Sequence, residues 1–227
     1  MLKRAAGMVP ASIYSRLRTY SLIGHQFREI KSIPEIRSIP ELRQSFMQTH
    51  IGANTPLLLL EFGSYRGESM RSFASNNRHP DSRFFGFDSF QGLPENWVNG
   101  FDKGAFDVKG HVPLIEDARV TFIKGWFSDT LPEFISVHPS LANKPLTKLV
   151  HFDADLYSST LFVITQLWPK LTDFYFIFDE FTGDEARALA DFLAAYPVRV
   201  QFLSKVMAGH FPECVSGRIT TLPSVRA

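Results

Sequence analysis

Two acidic pairs carry the densest chemistry in this sequence: Asp153 and Asp155 in V-H-F-D-A-D-L-Y, and Asp179 and Glu180 in F-Y-F-I-F-D-E-F. Each pair closes an apolar run, so each falls at the carboxyl end of a strand. Alternate residues of an extended segment project to the same side, which brings the Asp153 and Asp155 carboxylates together. If the two strands are neighbours, four carboxylates share one edge of a crevice, and like charges that close resist ionisation unless something compensates them. A hard divalent cation with oxygen ligands, Mg2+ or Ca2+, is the simplest compensation. One acid at a strand end is often only a helix cap. Asp184, read as capping the following helix together with Gly183, is such a case.

The opposite wall of the crevice is written in Leu57–Ser69, L-L-L-L-E-F-G-S-Y-R-G-E-S. An unbroken apolar run suits a strand buried on both faces of a parallel sheet. Glu61 falls near its carboxyl end, and Gly63 and Gly67 sit in the turn that opens the next helix. Ligands of open α/β sheets bind in that crevice. A phosphate cradle would avoid a carboxylate, so the segment points to a ligand with a nucleoside or amino-acid part and no pyrophosphate. Asp88, in F-F-G-F-D-S-F, lies 27 residues after Glu61 at the end of the next strand. It is placed to accept two hydrogen bonds from ribose hydroxyls. His151 lies inside an apolar strand and is assigned to the core. No H-x-x-x-H pair and no G-x-S-x-G elbow is present, and the single Cys214 excludes an intrachain disulfide.

The elements that must position these groups alternate. Strands are expected at Leu57–Phe62, Arg83–Asp88, Val120–Lys124, Leu149–Asp153, Phe174–Asp179, Arg199–Ser204 and Arg218–Leu222. Helices are expected around Ser69–Ser75, Leu131–Val137, Thr160–Lys170 and Gly183–Tyr196. Strands separated by helical patterns imply βαβ units. The expected architecture is therefore α/β: a seven-stranded, mostly parallel sheet with helices on both faces and an antiparallel last strand. The stretch Gln91–Pro113 is rich in glycine and proline without a clear period, as a lid or binding loop would be. Residues 1–50 read as an N-terminal helical extension and 51–227 as the main domain. Within the extension S-I-P-E-I-R and S-I-P-E-L-R follow one another at Ser32–Arg37 and Ser38–Arg43, each resembling a helix start with serine as cap. The first 28 residues are basic and carry no acid, a bias shared by transit peptides. An amphipathic surface helix around Ile13–Ile23 accounts for them.

Composition bounds the function. With 227 residues, the chain suits one sizeable core. A net charge of +1 gives nucleic acid no general attraction. No apolar run approaches the ~20 residues of a membrane span. Cysteine usage fits a reducing, cytoplasmic setting, and 22 phenylalanines predict a large aromatic core.

Taken together, the segments Glu61–Ser69, Gly86–Glu95 (G-F-D-S-F-Q-G-L-P-E), Lys124–Pro132 (K-G-W-F-S-D-T-L-P), Asp153–Thr160 (D-A-D-L-Y-S-S-T) and Phe178–Phe181 (F-D-E-F) resemble class I S-adenosylmethionine-dependent methyltransferases. Within that class they resemble the macrocin O-methyltransferase family, metal-dependent enzymes that methylate sugar hydroxyls of natural products. The resemblance implies a Rossmann-like methyltransferase fold and covers about residues 55–200. It implies that Glu61, Gly63, Ser64, Tyr65 and Ser69 line the methionine part of S-adenosylmethionine, that Asp88 with Ser89 holds the ribose, and that Gly125, Trp126 and Phe127 flank the adenine. It further implies that Asp153, Asp179 and Glu180 coordinate Mg2+ or another hard divalent cation and that Asp155, beside Asp153, is the general base. The family usually has two adjacent aspartates where this chain has Asp179-Glu180. The expected acceptor is a small molecule bearing a glycoside or diol hydroxyl, with a catechol-type phenol as the alternative, and the expected assembly is a dimer. A nicotinamide enzyme would want G-x-G-x-x-G, which the first turn lacks. A non-catalytic S-adenosylmethionine-binding or partner-binding relative would have little reason to keep the whole carboxylate set.

Overall fold

Leu57–Phe62 (β2) is buried along its whole length, and the rest of the fold is arranged around it. The computed structural model describes residues 17, 21–22, 24–97, 100–138 and 146–222. The other strands are Glu35–Ile36 (β1), Arg83–Asp88 (β3), Val120–Lys124 (β4), Thr147–Phe152 (β5), Asp173–Phe178 (β6), Val198–Ala208 (β7) and Phe211–Thr221 (β8). They form one sheet in the order β1-β7-β8-β6-β5-β2-β3-β4. The central strands β4, β3, β2, β5 and β6 run parallel. The last strand, β8, is antiparallel to both β6 and β7. The helices that connect or cover these strands include Ile39–Phe46 (α1), Glu68–Asn76 (α2), Phe127–Val137 (α3), Tyr157–Leu167 (α4) and Asp184–Ala195 (α5). None of the described helices is long and apolar enough to cross a membrane.

Alternation along β2 divides the core. Leu58, Leu60 and Phe62 pack with Val150, Phe152, Phe176 and Phe178 on one face, while Leu57 and Leu59 pack with Met70, Phe73, Leu42 and Phe46 on the other. Much of the phenylalanine content converges just below the strand ends. Phe87, Phe62, Phe152 and Phe178 lie in register across β3, β2, β5 and β6. Their rings pack in sequence, with centroids 4.7, 6.4 and 4.4 Å apart.

The sheet has eight strands, one more than expected. The extra strand arises from the first S-I-P-E-I-R repeat, expected to be helical. Glu35–Ile36 instead pairs in parallel with Lys205 and Val206, and Pro34 O accepts a hydrogen bond from Lys205 N–H. The second repeat does start a helix: Ser38 Oγ accepts from Glu41 N–H at 3.4 Å, with Pro40 in the first turn. Residues 205–217, whose shortness and Gly209, Pro212 and Gly217 suggest that the last two strands pair antiparallel, are mostly strand themselves: β7 and β8 form one long antiparallel hairpin turning at Gly209. Asp184 opens α5 as its first helical residue; Gly183 occupies the cap position and no side-chain cap bond forms. The helix expected around Ile13–Ile23 lies largely outside the described residues.

Gly63 marks the place where β2 must pass closest to its neighbour. Its φ is +93°, and a Cβ there would lie 1.8 Å from the carbonyl oxygen of Asp153. Gly63→Ala is expected to destabilise the fold by more than ~2 kcal/mol, from left-handed strain plus a backbone clash. Gly209→Ala, equally left-handed but with open space around the added methyl, should cost about 1 kcal/mol. Urea denaturation of both variants measures the difference; equal losses would show that the close approach to Asp153 is unimportant.

Candidate active site

The sheet ladder continues one step past the strand ends. Gly63 N–H bonds Phe87 O, Asp153 N–H bonds Phe62 O, Asp179 N–H bonds Phe152 O, and Gly125 N–H bonds Asp88 O. Asp88, Gly63, Asp153 and Asp179 therefore stand in one transverse row, directly above the row of phenylalanine rings. A cavity of about 700 Å3 opens above them. Its walls include Gly63, Tyr65, Asp88 and Ser89 from the ends of β2 and β3, Gly125, Trp126 and Phe127 from the start of α3, and Asp153, Asp155 and Glu180 from the ends of β5 and β6. The loop Gln91–Pro113 contributes Leu93, Pro94, Trp97, Phe101 and Phe106.

Four residues expected at the site stand behind its wall. Glu61 is fully buried, its Oε2 accepting from Ser64 Oγ at 2.9 Å and its Oε1 lying 3.0 Å from His151 Nδ1. Ser64, Ser69 and Asp179 are also absent from the cavity lining. Asp88 does line it, but its carboxylate already accepts three backbone N–H groups, from Ser64 at 2.8 Å, Tyr65 at 2.7 Å and Phe90 at 2.6 Å. Those bonds fix the glycine turn against the end of β3. Tyr65 and Asp155 both adopt positive φ, 45° and 61°, a sparsely populated conformation for residues with side chains.

Beneath the cavity a chain of buried charges runs across the sheet. His151 faces Glu61 in the β2–β5 register, and its Nε2 lies 3.4 Å from Asp179 Oδ1. Arg43, delivered by α1, donates from Nη2 to the same Asp179 oxygen at 2.7 Å. Burial works against an imidazolium here, yet its hydrogen bonds to Asp179 and Glu61 outweigh burial and raise His151 to about 9. Burial also opposes ionisation of Asp179, but the bonds to His151 and Arg43 pull its carboxyl below the usual range. The cavity acids behave oppositely. Burial, then the Asp179 charge, pushes Asp153 well up. Burial followed by Glu180, Asp179 and Asp88 raises Asp155 to about 7, and burial followed by Asp179 and Glu213 raises Glu180 to about 7.

Carboxylates thus outnumber the two cationic groups, and the surplus lies at Asp153, Asp155 and Glu180. That surplus, offering hard oxygen donors, fits a divalent cation. Among the described residues, the groups able to converge on one ion are His151, Asp153 and Asp179. Glu180 is not in that set, although it lines the cavity beside them.

Three residues of this centre were not expected from the sequence. Arg43 closes the second repeat, whose twin Arg37 is exposed on the surface. His151, assigned to the core, is buried there, but as an ionic link. The signal available for it was a histidine at the same depth in its strand as Glu61. Glu185, fully buried on α5, touches the backbone of both acidic loops.

Arg43→Met should destabilise the protein by about 3 kcal/mol, because it strands the buried Asp179 carboxylate. Adding Asp179→Asn should recover part of that loss. Chemical denaturation of the two single variants and the double variant checks this; strictly additive losses would show that the pair is uncoupled.

The chain was compared with known proteins. A family model described as macrocin O-methyltransferase (TylF) matches residues 37–203. The chain is 31% identical to demethyldecarbamoylnovobiocin O-methyltransferase of Streptomyces niveus, over 54% of this chain and 51% of that protein. It is 30% identical to 8-demethyl-8-(2,3-dimethoxy-alpha-L-rhamnosyl)-tetracenomycin-C 4'-O-methyltransferase of Streptomyces olivaceus, over 68% of this chain and 65% of that protein. The chain thus spans about half the length of the first relative and just under two thirds of the second. Among solved structures, the calicheamicin methyltransferase CalS11 superposes with a TM-score of 0.55 at 20% identity, over 92% of this chain and 93% of that one. That likeness is one of fold, and the fold is the Rossmann-like methyltransferase fold.

Proposed function

The chain belongs to the macrocin O-methyltransferase family, and from that premise we propose that it transfers a methyl group from S-adenosylmethionine to a hydroxyl of a small-molecule acceptor, assisted by a hard divalent cation. One observation carries the reading: a single cavity has a glycine turn with Asp88 and Ser89 on one side and Asp153, Asp155 and Glu180 on the other. A donor and an acceptor bound against these two walls meet above the strand ends. The name of the Streptomyces olivaceus relative specifies 4'-O-methylation of a dimethoxy-rhamnosyl tetracenomycin, which supports a sugar hydroxyl as the acceptor here.

Bound S-adenosylmethionine would supply an activated methyl, and a cation held by the acidic wall would lower the pKa of the acceptor hydroxyl. The remaining work falls to the chain. Gly63 and Tyr65 bind the methionine part, Asp88 and Ser89 the ribose, and Gly125, Trp126 and Phe127 the adenine. Glu61 and Ser64 act from behind, holding the turn in place; Ser69 supports the helix start. Asp153 and Glu180, which line the cavity, and Asp179, whose carboxylate converges with that of Asp153, would supply the oxygen ligands of a cation. Asp155, which lines the cavity beside Asp153 and Glu180, is placed to take the hydroxyl proton. Leu93, Trp97 and Phe101 line the cavity from the long loop and exclude water. Orientation of the two reacting groups does most of the rest.

Asp155→Asn should lower methyl transfer by roughly 100-fold or more while S-adenosylhomocysteine binding, measured by calorimetry, stays within twofold of wild type. A matching loss of that binding would remove Asp155 from the role of base. Excess EDTA should abolish transfer of labelled methyl to a panel of glycosides and catechols, and Mg2+ should restore it. Undiminished transfer in EDTA would dispose of the cation.

A further inference from the structure

The register of β5 and β6 aligns Asp153 with Asp179, but it cannot align the residues beyond them. Among the described residues, the last backbone hydrogen bond between the two strand ends runs from Asp179 N–H to Phe152 O. Past that bond the chains diverge into loops carrying Asp155 and Glu180, and the charges on those loops repel. One side chain bridges the gap. Glu185, in the first turn of α5, is fully buried. Its Oε1 accepts from Ala154 N–H at 3.3 Å and its Oε2 from Glu180 N–H at 3.1 Å. Ala154 lies between the two aspartates of the first pair, and Glu180 belongs to the second.

A glutamate in a first turn ordinarily complements the N-terminus of its own helix. Here both oxygens point away, to amides of two different loops. Both partners are donors, so the bridge needs two acceptors in one plane. A carboxyl group offers two acceptor oxygens even though burial and the nearby Asp153 and Asp155 favour its protonated form, whereas an amide presents one oxygen and one NH2. The acid also sits beside Asp153 and Asp155, where a further negative charge is unfavourable, so its place there is not explained by charge.

We propose that Glu185 is a positioning residue that sets the separation of the two acidic loops and, through it, the affinity of the site for a divalent cation. The inference rests on the cation reading above. Glu185 touches neither donor nor acceptor; it acts through the backbone of Ala154 and Glu180.

Glu185→Gln keeps the shape and removes one acceptor. Hydrogen–deuterium exchange should show faster exchange at the Ala154 or Glu180 amide. Calorimetric titration with Mg2+ should show affinity reduced tenfold or more, the usual effect of losing a group that orients metal ligands. S-adenosylhomocysteine affinity should stay within twofold, since its walls lie on β2, β3 and α3. Wild-type Mg2+ affinity in the variant would overturn the proposal. So would parallel losses of Mg2+ affinity, S-adenosylhomocysteine affinity and melting temperature, which would make Glu185 a purely structural residue. If the wild-type protein itself takes up no Mg2+ while binding S-adenosylhomocysteine, the cation reading fails and this inference falls with it. Because that result appears in the wild-type titration, the two failures are told apart.

Discussion

A buried ionic chain, Glu61–His151–Asp179–Arg43, is the interaction on which the arrangement above the sheet depends. Removing any one member leaves a charge in the interior without its partner, and the cost of that exceeds what most single contacts contribute. The chain also joins distant parts of the sequence. Its members come from β2, β5, the end of β6 and a helix that precedes the whole βαβ series. Its protonation pattern follows from this sharing: Asp179 and Glu61 hold His151 charged against the opposing charge of Arg43, while His151 and Arg43 together hold Asp179 ionised. Asp153, next to Asp179 in the row, feels the same two cations, but burial and the Asp179 charge outweigh them and push its carboxyl well up.

Register does the remaining positioning. Successive residues of parallel strands alternate between faces, so a row of phenylalanines at one level puts polar residues at the next. The polar level is where the ladder ends and backbone groups turn outward, and there Gly63 admits the carbonyl of Asp153. N-terminal residues belong to this construction. Phe27 and Ile30 are part of the main core, and buried Lys205 donates to the carbonyls of Ile30 and Lys31. The segment that delivers Arg43 is thereby fastened to the sheet edge.

The strands β2, β3 and β4 were legible to the residue, because unbroken apolar runs bounded by glycine, proline or charge leave little freedom in placing a strand. The cavity walls were legible for a related reason: acids and glycines at strand ends have few structural alternatives. What the sequence concealed is long-range. Glu35–Ile36 becomes a strand only because the edge of β7 is there to pair with it. Arg37 and Arg43 occupy equivalent places in a repeat, and only the packing of α1 decides which is buried. Glu185 looks like any acid in a helix's first turn until two loops fold against it.

The four phenylalanine rings under the row bear on how such a site could change over time. Packed ring to ring across four strands, they couple the strand ends mechanically, so a substitution in any one is felt by all. Diversification is cheap only where that coupling is absent, in the glycine-rich loop Gln91–Pro113. The molecule thus separates a rigid floor, which keeps the strand-end acids aligned, from a permissive rim, whose shape can vary without disturbing that floor.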